Sequence, residues 1–147
     1  MAQGTIDVHI NRPAGDVFAV IADVSKNARW SSTAVAGRQT SPGRVGVGTT
    51  AHEVSTFLGR RVEVDSVVTE FIAGRRLAYR TTGGPFPSSG SFVVEAQGGG
   101  ASLTATFEAV PAGVVACLRP LFDKLVTRAL RHDLASLKRL MECGDLR

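Results

Sequence analysis

The sequence has few of the residues that build covalent or metal-bound scaffolds. Its two cysteines are Cys117 and Cys143. On one helix, residues that far apart in sequence would stand ~39 Å from each other at 1.5 Å per residue, so they cannot pair within the chain. Neither has a His or Cys neighbour at metal-ligand spacing. They read as inert thiols of a reducing cytoplasm, with an intermolecular bridge as the alternative. Long apolar runs are missing too. No stretch approaches the roughly 20 residues of a membrane-spanning helix. The start, Met1 to Val8, lacks the basic region and apolar run of a signal peptide, so a cytoplasmic location is expected. No Ser-His-Asp or Cys-His constellation is recognisable, and neither a metal nor another cofactor is expected. The net charge is only +4 with a pI near 9.7, which reads as a solubility feature and does not favour a nucleic-acid or ribosome partner.

The chain of 147 residues has the length of one domain, taken as 1–147. With 44% hydrophobic and 20% charged residues it is not a disordered segment. Its longest pattern runs from Leu118 to Met141. Apolar residues recur at Leu118, Leu121, Phe122, Leu125, Ala129, Leu130, Leu134, Leu137, Leu140 and Met141, the gaps of three and four that mark one face of a helix. Arg119, Asp123, Lys124, Arg128, Arg131, Lys138 and Arg139 fill the opposite face. Burying one large apolar side chain is worth roughly 1.5–3 kcal/mol, so such a stripe needs a partner.

The rest of the chain supplies one. Gly4 to Ile10 alternates, with Ile6, Val8 and Ile10 on one side, as a half-buried strand does. Asn11-Arg12-Pro13 starts a helix with Val17, Phe18, Val20, Ile21 and Val24 on its apolar side. Ser25-Lys26-Asn27 breaks it, and a short second helix or turn carries Ala28 to Trp30. Strands are expected at Thr33–Thr40, Thr49–Phe57, Arg61–Ile72, Arg76–Thr82, Gly90–Gln97 and Ser102–Val110. Turns rich in Gly and Pro join them, which favours an antiparallel meander. Pro120 near the start of the long helix predicts a separate first turn or a kink. The order is β-α-α-β6-α, an α+β chain in which one curved antiparallel sheet holds every helix on its concave side.

Several stretches in this order resemble the START-like superfamily, also called SRPBCC or the helix-grip fold, and within it the polyketide cyclase/dehydrase-like branch. Pro13-Ala14-Gly15-Asp16-Val17-Phe18, with Ile21-Ala22-Asp23 and then Trp30, is similar to the family's first-helix signature. Val47-Gly48-Thr49 resembles its entry to the third strand. Val68-Thr69-Glu70-Phe71 with Arg75-Arg76-Leu77-Ala78-Tyr79 is similar to a family hairpin, and Asp133 to Glu142 to the close of its last helix. The resemblance implies a large cavity between sheet and last helix. Polar residues at strand positions that could turn inward, His52, Thr56 and Thr104, suit a ligand- or water-filled space better than a dry core.

The candidate lining is Trp30, His52, Val54, Tyr79, Phe86, Phe92, Phe107, Phe122 and Leu125. Trp30 either covers a ligand or anchors the helix pair. His52 and Glu53 point to opposite faces. An inward His52 could serve as a general base, and an inward Tyr79 could donate to a ligand carbonyl. These two are the candidate catalytic residues. His9 and His132 are expected on polar sides. Phe86, between two prolines, could close the cavity mouth. Gly43-Arg44-Val45-Gly46-Val47-Gly48 lacks the Lys-Ser/Thr of a phosphate loop and precedes a strand, so nucleotide binding is not expected.

Three functions remain. The first is binding, and with it transport, of a small hydrophobic ligand such as a lipid or a polyketide-like molecule. The second is a polyketide cyclase, aromatase or dehydratase, which needs His52 or Tyr79 beside another polar group in the cavity. The third is a toxin-like ribosome- or protein-interaction module, which needs a continuous basic patch around Arg128, Arg131, Lys138 and Arg139. A homodimer through the sheet end or the first helix pair is compatible with each.

Overall fold

The computed structural model describes residues 2–57, 59–85, 87–109 and 119–146. Strand β1 (Ala2–Ile10) leads into α1 (Ala14–Ala22), a 3-10 turn at Val24–Lys26 and α2 (Asn27–Trp30). Then come β2 (Ala34–Gln39), β3 (Thr50–Phe57), β4 (Arg60–Ile72), β5 (Arg76–Gly83), β6 (Ser88–Gln97), β7 (Gly100–Ala109) and the long α3 (Arg119–Glu142). These seven strands form one antiparallel sheet in the order β1-β7-β6-β5-β4-β3-β2. Six follow one another as a meander, and β1 closes the far edge beside β7. The sheet curves into a half-barrel with α3 laid against it, the helix-grip α+β arrangement of START-like proteins.

Strand ends differ by a residue or two from the sequence expectation. β6 starts at Ser88 rather than Gly90, because Ser88 and Ser89 already pair with Ala109 and Glu108 of β7, and Ser88 N–H also donates to Thr81 Oγ1 at 2.9 Å. The stretch between β7 and α3, with Cys117, Leu118 and the expected separate first turn, lies outside the described residues. Pro120 occupies the second position of α3, where its missing N–H has no helical partner to lose.

The core gathers at one end. Ile10, Val17, Val20, Leu103, Leu134, Leu137, Met141 and Leu146 are each no more than 1% exposed. α1 turns Val17, Phe18, Val20 and Ile21 onto this cluster, and Phe18 meets Phe71 edge-on with ring centroids 5.5 Å apart. Polar bonds hold the C-terminal half of α3 there. Arg12 donates to Met141 O at 2.8 Å, Asn11 N–H to Glu142 Oε2 at 2.8 Å, and Lys138 Nζ to His9 O at 2.7 Å. Ser32 N–H and Ser31 Oγ donate to the buried Asp133 at 2.8 and 3.2 Å, which joins α2 to mid-α3. Gly144, in the left-handed region at φ 84°, ends the helix so that Leu146 can fold back into the core.

The N-terminal half of α3 is held less closely. At β1 a Cβ on Gly4 would stand 3.1 Å from Thr127 Oγ1, so the helix crosses that strand at close range. Elsewhere it stands off: Leu121 is 52% and Leu125 45% exposed. Among the described residues, none fills the space between this half and the sheet.

Candidate ligand-binding site

That space is a cavity of about 540 Å³. α3 forms its roof with Leu125, Val126, Ala129 and Leu130, and α1 and α2 close one side with Ile21, Asn27 and Trp30. The sheet supplies the floor by alternation: Ala51, Glu53 and Ser55 from β3, Val62, Val64, Ser66 and Val68 from β4, Leu77, Tyr79 and Thr81 from β5. The register explains the grouping, because Glu53 pairs with Val64 and Tyr79 lies between Val68 and Gly90.

Of the expected lining, Trp30, Tyr79, Phe92, Phe107 and Leu125 border the cavity. Trp30 is buried and meets Phe92 edge-on at 6.3 Å, and Tyr79 stacks on Phe92 at 6.4 Å. Trp30 thus anchors the helix pair and lines the cavity at once. Leu125 sits at its rim. Phe86 lies outside the described residues, as does the side chain of Phe122.

His52 and Val54 do not line the cavity. They occupy the outer face of β3, which corrects the expected parity. His52 sits directly opposite Asp65, with Nδ1 2.7 Å from Asp65 Oδ1 and Nε2 3.3 Å from Glu63 Oε1. These carboxylates hold its pKa above the usual imidazole value, the bond to Asp65 contributing most. Three polar groups satisfy one another on the solvent side, so the strand turns Glu53 inward. Thr104 also faces out and donates to Asp7 at 2.7 Å, whereas Thr56 does border the cavity near the end of β3.

Glu53 is the functional candidate that the sequence reading passed over. Asn27 Nδ2 donates to its Oε2 at 2.9 Å and Ser55 Oγ to its Oε1 at 3.3 Å. Burial pushes the Glu53 carboxyl above its ordinary pKa, against the pull of those two bonds. Burial, helped by the charge of Glu53, also pushes the Tyr79 phenol far above its usual range. Asn27 Oδ1 and Trp30 Nε1 are buried with no hydrogen-bond partner among the described residues. The signal for Glu53 lay in the neighbouring strand. Arg61, Glu63 and Asp65 alternate with Val62, Val64 and Ser66, and pairing Asp65 with His52 turns Glu53 to the valine side.

The arrangement can enclose a mainly apolar molecule and meet one polar end with a carboxyl, an amide and a phenol. Among the described residues no group of three or more His, Cys, Asp or Glu could hold a metal ion. No helix among them is long and apolar enough to cross a membrane.

Residues 1–142 match the family model described as polyketide cyclase/dehydrase and lipid transport. Similar solved structures include a protein of Thermus thermophilus, at TM-score 0.80 and 18% identity over 93% of this chain and 94% of that one. A START superfamily protein from Mycobacterium smegmatis aligns at TM-score 0.78 and 14% identity over 92% and 94%. The Zhui aromatase/cyclase from a Streptomyces species aligns at TM-score 0.72 and 20% identity over 91% and 89%. At these identities the likeness is one of fold. No curated protein matches the chain in sequence.

Proposed function

We propose, since the chain belongs to the polyketide cyclase/dehydrase and lipid transport family, that it binds a small hydrophobic molecule between the sheet and the first half of α3. One observation carries this reading: a cavity of about 540 Å³ with a largely aliphatic and aromatic lining. Its size falls within the roughly 300–1,000 Å³ of ligand pockets. A cavity this large in an otherwise close-packed interior forfeits packing contacts unless something occupies it. Native mass spectrometry of gently purified protein tests the reading. A retained small molecule, or uptake of an added one at one per chain, is the expected result. A chain that neither retains nor takes up any hydrophobic molecule would overturn it.

A second reading, a cyclase- or dehydratase-type enzyme, has one observation in its favour. Tyr79 and Glu53 share the cavity, close enough for the charge of one to act on the other. There Glu53 would move a proton and Tyr79 would polarise a ligand carbonyl. His52 has no part in it, being on the outer face. The interaction-module reading loses support, because Lys138 is engaged with His9 O and Glu142 rather than free in a basic patch.

A further inference from the structure

The polar end of the cavity has a charge sign of its own. The chain carries 17 Lys and Arg residues, yet no Lys, Arg or His stands among the described residues that line the cavity. The ionisable lining among them consists of Glu53, Asp133 and the phenol of Tyr79. Asp133 is occupied by Ser31 and Ser32. Glu53 receives neutral donors, from Asn27 and Ser55. A carboxylate drawn into an apolar space is normally matched by a cation, and the described lining provides none.

Building on the hydrophobic-ligand reading above, we infer that Glu53, with the rings of Trp30, Phe92 and Tyr79, forms a subsite for the protonated amine of a hydrophobic ligand.

The rings fit that role. Trp30, Phe92 and Tyr79 make one continuous aromatic wall on the cavity, and Trp and Tyr faces attract cations. The pose of Tyr79 is set by Gly90, its partner across the strands. A Cβ at Gly90 would stand 2.6 Å from Tyr79 Oη, 2.7 Å from Cζ and 2.8 Å from Cε1. Those three atoms form the hydroxyl corner of the ring, so the backbone of β6 packs against that corner and fixes where the ring can lie. Held at that corner and stacked on Phe92, the Tyr79 ring stays on the cavity wall. Asn27 Nδ2 and Ser55 Oγ each donate one bond to the carboxylate, and its remaining acceptor capacity can serve the N–H donors of an ammonium.

The alternatives fit less well. A carboxylate-ended ligand would bring a second negative charge beside Glu53, with no cation in the described lining to offset it. A hydroxyl could donate to Glu53 but would forgo the charge-assisted bond, which is roughly twice as strong as a neutral one.

Three ligands with the same tail separate these outcomes: decylamine, 1-decanol and decanoate. Each is titrated into the full chain below its aggregation concentration. Calorimetry and the fluorescence of Trp30, the sole tryptophan, report binding. Decylamine should bind at least tenfold more tightly than 1-decanol, with decanoate weakest. Glu53→Gln should weaken decylamine at least tenfold more than it weakens 1-decanol, and a thermal melt of the variant shows that it is folded. Decylamine no tighter than either of the others, or unaffected by Glu53→Gln, overturns the ammonium subsite but leaves the hydrophobic cavity standing. Binding of none of the three overturns both. If Glu53→Gln does not fold, the order of the three ligands on the unaltered protein decides alone.

Discussion

Gly90→Ala puts the packing of the cavity wall to a direct test, because two effects of known sign oppose each other there. Gly90 is not among the glycines with a positive φ, so alanine fits its backbone. By itself the change should stabilise the protein by about 0.4–1 kcal/mol, through restriction of the unfolded chain. The added methyl, however, lands 2.6–2.8 Å from the ring end of Tyr79, where ordinary contact begins at 3.4 Å. The ring must withdraw by roughly 0.6–0.8 Å, a shift of the kind that overpacking imposes at about 1–3 kcal/mol. It would leave its place beside Phe92 and move into the cavity. The clash should win, with a net loss of about 1–2 kcal/mol. For a chain of this length that is a fall of roughly 2–8 °C in Tm. In a Tyr79→Ala background the same substitution should be neutral or stabilising, since the atoms it meets are gone. Thermal melts of the four proteins in this double-mutant cycle give a coupling of about 1.5–3 kcal/mol if the reasoning holds. A Gly90→Ala protein that melts within ~1 °C of the parent would refute it. So would a loss that persists undiminished without the ring.

Two further predictions concern the core and the buried carboxyl. Leu137→Ala removes a side chain that is 0% exposed and should cost about 2–5 kcal/mol in urea unfolding, while Leu125→Ala, at 45% exposure on the cavity rim, should cost less than about 1 kcal/mol; equal losses would contradict the division of α3 described above. Burial raises the pKa of Glu53 in the folded protein, so folding favours its protonated form, and that contribution is full below pH ~4.5 and is lost as pH rises through the folded value. Glu53→Gln cannot ionise and should gain stability relative to the parent as pH rises above ~4.5; a difference that stays constant with pH in urea titrations would show that the carboxyl is not desolvated.

The fold was readable because its signals are periodic and repeated. Ten apolar positions spaced by three and four can only be a helix face. Successive alternating segments joined by Gly-Gly-Pro and Gly-Gly-Gly turns leave little but an antiparallel meander. The site was less readable, and β3 shows why. In Ala51-His52-Glu53-Val54-Ser55 both faces carry polar residues, so alternation alone does not say which side is inside. One wrong parity sent His52 and Val54 into the cavity and left Glu53 out. The answer lay in a contact distant in sequence, the pairing of His52 with Asp65 across the hairpin. The fit of Tyr79 against Gly90 was equally hidden, since it depends on the register of β5 and β6. Positions such as Tyr79 and Phe92 could be placed because each shares a face with strongly apolar neighbours.

The same helix carries both the stability and the cavity of this protein, in separate halves. From Asp133 onward α3 is fastened by buried Leu134, Leu137 and Met141, and by bonds from Arg12, Lys138 and Ser32. Before that point Leu121 and Leu125 are half exposed, and the inner side chains face the cavity instead of the sheet. Apolar residues that meet an open space contribute little to folding until a ligand supplies the missing contacts. A molecule bound there would therefore stabilise the folded chain by mass action, in proportion to the logarithm of its concentration over its Kd. It would also tie the loose half of α3 to the strands that carry Glu53 and Tyr79. The apolar stripe along the helix thus divides in two: its last turns hold the fold, and its earlier turns face the cavity, where the proposed ligand would supply the missing contacts.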